Sequence, residues 1–259
     1  MSKIANAFKD GKAFIAFLTG GDPTPEKTVE YILTMEKAGA DLIEIGIPFS
    51  DPTAEGVVIQ DANIRALKAG TTTDKIFEIV KEVRKTSQIP LVFLTYLNPV
   101  FHYGYDAFFK KCKEYQVDGL IIPDLPYEEK HEVTDVADLY GVDIISMIAP
   151  TSKQRIQMIA SEAKGFIYIV SSMGVTGVRS EITTDIPGIV EAIRQVSDVP
   201  AAVGFGISTP AQAEEMAKAS DGAIVGSAIV KIIAAKKDQA AQELYDYVRS
   251  MKEAVQKAD

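Results

Sequence analysis

Short apolar runs alternate with amphipathic stretches along nearly the whole chain. The runs have the length of β-strands and few polar interruptions, which is typical of parallel strands that are covered by helices. We therefore predict eight strands. They span Ala13–Thr19, Leu42–Gly46, Leu91–Tyr96, Gly119–Asp124, Ile144–Ala149, Phe166–Ser171, Ala201–Gly206 and Ala223–Gly226.

The stretches between these runs place apolar residues three and four positions apart, as helices that bury one face do. Several begin near Pro, Thr, Ser or Asp and end near Gly or Ser, as capped helices do. Further helices are expected at Ile4–Lys9, just after Gly226-Ser227, and at Gln239–Ala258. The other helical segments are TVEYILTMEKAG, KIFEIVKEVRK, YDAFFKKCKEY, HEVTDVADLYG, RIQMIASEA, GIVEAIRQVS and QAEEMAKAS.

Eight strand–helix units in 259 residues predict an α/β fold of the closed (β/α)₈ TIM-barrel type. No linker or low-complexity segment interrupts the pattern, so we expect one domain over residues 1–259. The helix at Ile4–Lys9 would close the N-terminal end of the barrel. An open, doubly wound sheet is the alternative architecture.

Charge and composition narrow the class of protein. A formal net charge of −9 argues against a nucleic-acid groove or an anionic membrane surface as the main partner. Cys112 is the single cysteine, so neither an intrachain disulfide nor a cysteine-based metal cluster is expected, and we predict no metal. The N-terminal residues do not resemble a signal peptide, and no apolar run is long enough to span a membrane. We therefore predict a cytoplasmic protein.

Two carboxylates fall where barrel enzymes carry their active sites, at the C-terminal ends of the strands. Glu44 lies inside the second strand, on the face opposite Ile43 and Ile45. A charged group on an inward face is costly unless it is paired or used, so Glu44 is either a satisfied structural acid or a catalytic one. Glu55 follows in the next loop. Only two histidines are present, which leaves carboxylates as the main candidates for acid–base chemistry.

Glycine-containing loops follow the sixth, seventh and eighth strands: SSMGVTGV, GFGIST and VGSAIV. Glycine lets backbone N–H groups approach an anion, and a helix that begins after Gly226-Ser227 adds a favourable dipole. Together the loops predict a phosphate site; the alternative is that the glycines only make tight turns. The loop 174–185 could act as a lid or be a plain surface loop. Apolar and aromatic side chains near the mouth suit a flat ring better than a sugar: Phe17, Leu94, Tyr96, Ile121, Ile148, Tyr168 and Phe205.

The segment EIGIPFSDPTAEG at 44–56 resembles the signature of the tryptophan synthase α subunit. The resemblance extends over essentially the whole chain, with further blocks in family order and at suitable spacing. These blocks are FLTGGDP at 17–23, YLNPVFHYG at 96–104, IIPDLPYEE at 121–129, GVTGVR at 174–179, VGFGIST at 203–209 and GSAIVKII at 226–233.

The resemblance implies a carbon–carbon lyase that acts in the last stage of tryptophan biosynthesis. It would cleave indole-3-glycerol phosphate to indole and glyceraldehyde 3-phosphate by a retro-aldol reaction. By the same resemblance, Glu44 does the acid–base work and Glu55 interacts with the indole N–H. The phosphate contacts would be Gly177, Gly206, Gly226 and Ser227. The indole side of the pocket would be formed by Phe17, Ile59, Leu94, Tyr96, Ile121, Ile148, Tyr168, Thr176 and Phe205.

The resemblance also implies a partner, a β subunit that uses pyridoxal phosphate to join indole to serine in an αββα assembly. The cofactor belongs to that subunit, so this chain is expected to bind none. Asp51 matches a partner contact, although it could simply be a turn residue before Pro52. Two positions depart from the family pattern: Glu55 stands where aspartate is usual, and Val57 stands where proline is usual, which should loosen the loop after Gly56.

Three other functions remain open at this point. The chain could be a lyase that needs no partner. It could be a sugar-phosphate isomerase or aldolase, although no strand offers an obvious Schiff-base lysine. It could also be a binding module that activates a β subunit but has lost efficient catalysis. The glutamate at position 55, where aspartate is usual, suggests this third possibility.

Overall fold

The strands of this chain form one parallel sheet that curves into a barrel. The computed structural model describes residues 3–171, 184–204 and 206–258. Nine strands pair in the order β5-β4-β3-β2-β1-β9-β8-β7-β6. They are β1 Ala13–Thr19, β2 Leu42–Gly46, β3 Leu91–Leu94, β4 Gly119–Ile121, β5 Asp143–Ile144, β6 Ser146–Ile148, β7 Ile167–Val170, β8 Ala201–Gly204 and β9 Gly222–Val225.

The two ends of this sheet are joined by the chain itself. β5 and β6 are separated only by Ile145, and they are the two halves of the predicted fifth strand, Ile144–Ala149. β5 pairs with β4, whereas β6 pairs with β7. One interrupted strand therefore completes the ring, and the predicted (β/α)₈ barrel is confirmed.

Helices cover the outside of the barrel. They are α1 Pro25–Lys37, α2 Val57–Lys68, α3 Thr73–Arg84, α4 Leu97–Tyr103, α5 Tyr105–Tyr115, α6 His131–Tyr140, α7 Lys153–Ala160, α8 Ile186–Arg194, α9 Pro210–Ala219, α10 Ser227–Lys236 and α11 Ala241–Gln256. The sequence patterns did not predict α2 and α4, and both follow strands at the mouth. No helix in the described ranges is long and apolar enough to cross a membrane.

Alternation along the strands divides the core into two layers. Ile43 and Ile45 of β2 pack outward with the helices, whereas Leu42 packs inside the barrel with Ile15 and Val92. Because side chains alternate along a strand, Glu44 shares the inner face with Leu42. The strand therefore directs this carboxylate into the barrel.

The predicted N-terminal helix is a short 3₁₀ helix, Ile4–Phe8. Ile4 and Ala7 are buried and pack with the inner-layer residues Ala13 and Phe166. We propose that this segment closes the N-terminal end of the barrel and that residues 1–259 form one domain.

Candidate active site

A narrow pocket with a cavity volume of about 60 Å³ opens at the mouth of the barrel. It is bordered by residues of β1, β2, β3, β6, β7 and β9 and of the segments that follow β2, β3, β4, β8 and β9. It therefore brings together segments that are far apart in the sequence. The predicted site residues that line it are Phe17, Glu44, Glu55, Ile59, Leu94, Tyr96, Tyr168, Gly206, Gly226 and Ser227.

Glu44 is a deeply buried acid. Its side chain is 1% exposed, and its Oε1 atom has no partner among the described residues. Loss of solvation disfavours the charged form of a carboxyl group, and burial raises the pKa of Glu44 to about 8. Near neutral pH this group can therefore both give up and take back a proton.

Glu55 is also buried, at 7% exposure, but it has partners. The Asn63 side-chain amide donates a hydrogen bond to Glu55 Oε2 at 2.7 Å. Burial raises the pKa of Glu55 to about 7, while hydrogen bonds from Asn63 and Tyr96 act in the opposite direction. These donors favour the carboxylate form, so Glu55 carries negative charge more readily than Glu44 does.

The loop that carries Glu55 is held at both sides. The Gln60 side-chain amide donates to the backbone carbonyl of Glu55 at 2.6 Å. The backbone N–H of Ala54 donates to the Tyr96 hydroxyl at 3.1 Å. Gln60 and Asn63 lie one turn apart on α2, so this helix fixes both the backbone and the carboxylate of Glu55.

The opposite side of the pocket offers backbone donors. Gly226 precedes α10, which begins at Ser227, and the first N–H groups of a helix lack partners within it. A Cβ atom at Gly226 would lie 3.1 Å from Phe17 Cδ1, so a larger residue would crowd the pocket wall. Gly206 has a φ of +80°, a conformation that favours glycine.

No lysine or arginine is present among the described residues that line this pocket. From the described residues, an anion bound there would meet N–H groups and the positive end of a helix dipole, which is a common arrangement for phosphate. Thr176, Gly177 and Phe205 lie outside the described residues.

Two predicted wall residues do not line the pocket. Ile121 is buried deeper inside the barrel. Ile148 faces the outer layer and packs with the helices, because Met147 occupies the inward position of β6 and lines the pocket instead. Alternation from Ile145 would have identified Met147. The sequence patterns also missed Ala54, Pro123, Ile207 and Ile224.

Asp51 lies outside the pocket, in the exposed part of the loop after β2. Its carboxylate accepts a hydrogen bond from the neighbouring Ser50 hydroxyl. In the described ranges, no group of three or more His, Cys, Asp or Glu side chains is arranged to hold a metal ion.

Comparison with known proteins identifies the family. A model of the tryptophan synthase alpha chain matches residues 4–256. The alpha chain of Lacticaseibacillus casei is 51% identical over 255 residues, covering 98% of this chain and 96% of that protein. The crystal structure of the alpha chain from Legionella pneumophila superposes with a TM-score of 0.89 at 35% identity, covering 99% of this chain and 98% of that one.

Relatives solved as complexes are similar as well. A chain from the tryptophan synthase a2b2 complex of Pyrococcus furiosus has a TM-score of 0.83 at 34% identity, covering 93% of this chain and 98% of that one. The resemblance seen in the sequence is thus confirmed. The chain belongs to the tryptophan synthase alpha chain family, lyases that cleave indole-3-glycerol phosphate to indole and glyceraldehyde 3-phosphate.

Proposed function

We propose that Glu44 carries the proton transfers of the retro-aldol cleavage. Carbon 3 of indole becomes a leaving group only when it is protonated, and the glycerol hydroxyl must lose its proton as the carbon–carbon bond breaks. A carboxyl group that protonates carbon 3 becomes the carboxylate that accepts the hydroxyl proton, so one residue can serve both steps. The observation that carries this proposal is the buried Glu44 carboxyl, with an unpartnered oxygen in the pocket.

Glu55 has the complementary role in this proposal. Protonation of carbon 3 places positive charge on the indole ring, and a carboxylate near the ring N–H stabilises that charge. Asn63 and Tyr96 support the charged form of Glu55. Asn63 is therefore a positioning residue, because its bond to Oε2 orients the carboxylate and favours its ionisation.

The remaining pocket residues bind the two ends of the substrate. Gly206, Gly226 and Ser227, with Gly177 from the segment outside the described residues, would hold the phosphate through backbone donors. The apolar walls would exclude water and hold the indole ring. These walls combine Phe17, Ile59, Leu94, Tyr96 and Tyr168 with Thr176 and Phe205.

We further propose that the chain acts with a pyridoxal phosphate-dependent β subunit in an αββα assembly in the cytoplasm. The Pyrococcus furiosus relative belongs to an a2b2 complex, which supports such a partner. Two large apolar side chains near the mouth are exposed, Val57 at 70% and Phe101 at 66%. A partner docked at the mouth could cover both side chains, and Asp51 lies in the loop that precedes Val57.

Indole formation from indole-3-glycerol phosphate, with and without added β subunit, tests this proposal. We expect indole from the chain alone and more of it with the partner. High output that the partner does not change would favour a lyase that works alone. Stimulation of the β subunit without any cleavage would mean that the chain is a binding module and that the roles given to Glu44 and Glu55 are wrong.

A further inference from the structure

A second pocket lies on the outside of the barrel, between α6 and α7. It has a cavity volume of about 450 Å³ and opens to solvent. α6 packs against α5 and β5, whereas α7 packs against α8 and β6, so the two helices leave a trench between them. We call this trench the lateral pocket. Its apolar lining includes Ile122, Leu125, Ile144 and Ile159.

The barrel wall is interrupted beside this pocket. β5 pairs with β4 through Asp143 and Ile144, and β6 pairs only with β7. Beyond Ile145, no strand pairing joins β4 to β6 in the described part of the chain. Pro123 and Met147 lie at this interruption, and both line the lateral pocket as well as the catalytic pocket. The two pockets are therefore neighbours across a wall that lacks a hydrogen-bonded ladder.

Three ion pairs surround the lateral pocket. They join Lys130 to Glu162, Arg155 to Glu128, and Lys164 to Asp138. A charged ligand would compete with these pairs, whereas a neutral ligand would leave them intact.

Two hydroxyl groups on the lining remain available. Thr134 and Ser146 line the lateral pocket and are partly exposed, so their hydroxyls can reach a ligand. Each hydroxyl can accept an N–H. The lining thus suits a neutral molecule with an apolar body and a hydrogen-bond donor, because small-molecule sites combine apolar walls with a few placed polar groups.

Indole has this chemistry, and it is produced on the other side of Pro123 and Met147. We propose that the lateral pocket is a second binding site for indole, adjacent to the catalytic pocket. The identity of the ligand follows from the family's reaction, but binding does not depend on the roles proposed for Glu44 and Glu55.

The test is an indole titration of the purified chain with isotope-labelled isoleucine methyl groups. Ile144 and Ile159 report on the lateral pocket, and Ile59 and Ile224 report on the catalytic pocket. We expect both pairs of methyl signals to shift, with separate saturation curves. If saturating indole moves only Ile59 and Ile224, the second site does not exist. The chain contains no tryptophan, so indole fluorescence gives an independent isotherm without background.

Two phenylalanine variants, one inside the lateral pocket and one outside it, provide a matched comparison of indole binding. Thr134→Phe should weaken the lateral isotherm about tenfold or more, since it occupies the space and removes the hydroxyl. Leu139→Phe adds the same ring to an exposed position of α6 outside the pocket and should leave binding unchanged. An unchanged isotherm in Thr134→Phe would overturn the proposal. If this variant does not fold, the methyl pattern of the wild-type chain decides alone.

These results stand apart from the catalytic proposal. Thr134→Phe should form indole at the wild-type rate, whereas the catalytic roles are tested by turnover of the glutamate variants. Loss of one proposal therefore leaves the other measurable.

Discussion

The two acids of the pocket are buried in different ways. Glu44 projects from a strand into a site where its Oε1 finds no partner, and burial alone raises its pKa to about 8. Glu55 lies in a loop, where Asn63 and Tyr96 partly offset the same effect and its pKa is about 7. Burial without partners thus yields a proton donor, and burial with donors yields a charge stabiliser.

Of all the changes to these two acids, Glu44→Gln should lower the rate of indole formation the most. The amide keeps the shape of the side chain but cannot deliver a proton, and general acid–base groups contribute on the order of 10²–10⁴ in rate. We expect indole formation to fall by about 10³-fold, near the middle of that range, while a folded barrel is retained in circular dichroism. A Glu44→Gln enzyme with normal turnover would remove Glu44 from the mechanism.

The same residue makes stability depend on pH. The carboxyl of Glu44 has an ordinary pKa of 4.5 and a folded pKa of about 8, so between these values the folded chain retains a proton that the unfolded chain has released. Stability therefore falls as pH rises through this window and levels off above pH 8. The loss is on the order of 5 kcal/mol, since each pKa unit is worth about 1.4 kcal/mol.

Denaturant unfolding of the wild-type chain and Glu44→Gln across this pH range measures the effect. Glu55 titrates in both proteins, so the difference between them isolates Glu44. Parallel curves for the two proteins would show that Glu44 does not retain its proton on folding.

Glu55 should be more tolerant of change than Glu44. Glu55→Gln removes the charge and should lower indole formation about 10²-fold, a loss of the size seen when an electrostatic stabiliser is removed. Glu55→Asp retains the charge and introduces the residue that is usual in the family, so activity should stay within about tenfold of wild type, less than the 10²-fold that a 1 Å displacement can cost. Steady-state assays of both variants decide. Equal, unchanged rates would exclude Glu55 from the reaction.

Variants of Asn63 and Gln60 distinguish an effect on the charge of Glu55 from an effect on its position. Asn63→Ala removes a donor to the carboxylate, which raises the pKa of Glu55 and moves the acid limb of the kcat/KM profile upward. The alkaline limb, set by Glu44, should stay in place. The rate at pH 7 should fall about threefold, because losing one hydrogen bond of about 1 kcal/mol disfavours the charged form about fivefold and Glu55 is only about half ionised at this pH. Gln60→Ala is the control, since Gln60 contacts only the backbone carbonyl of Glu55. If both variants shift the acid limb by the same amount, Asn63 acts by holding the conformation of the loop and not by stabilising the charge of Glu55.

These contrasts define what the sequence could and could not predict. The apolar runs predicted the barrel, and alternation with Leu42 predicted that Glu44 points inward. The pattern missed α2 because its buried positions include Ala62, Asn63 and Ala66, which do not form an apolar stripe. Because α2 was not predicted, the contact between Asn63 and Glu55 could not be predicted from the sequence either.

The interrupted fifth strand was hidden for a related reason. Ile145 is apolar and buried, so nothing in the run marks the break between β5 and β6. To predict that Met147 and not Ile148 lies on the inner face, one needs the register of β6 with β7. That register depends on pairing between distant segments. Local pattern predicts which segments form strands; it does not predict where a single strand changes its partner.

The smallest expected effect concerns Val57, at the end of the loop that carries Glu55. Val57 is the first residue of α2, after Gly56 with φ −80° and ψ 168°. This extended conformation is the one that a residue before proline adopts, and the first helical position does not need its N–H. Val57→Pro should therefore raise the free energy of unfolding by about 0.4–1 kcal/mol, chiefly by restricting the unfolded chain. Denaturant unfolding measures it, and a destabilised variant would show that the loop at Gly56 needs the freedom that valine gives it.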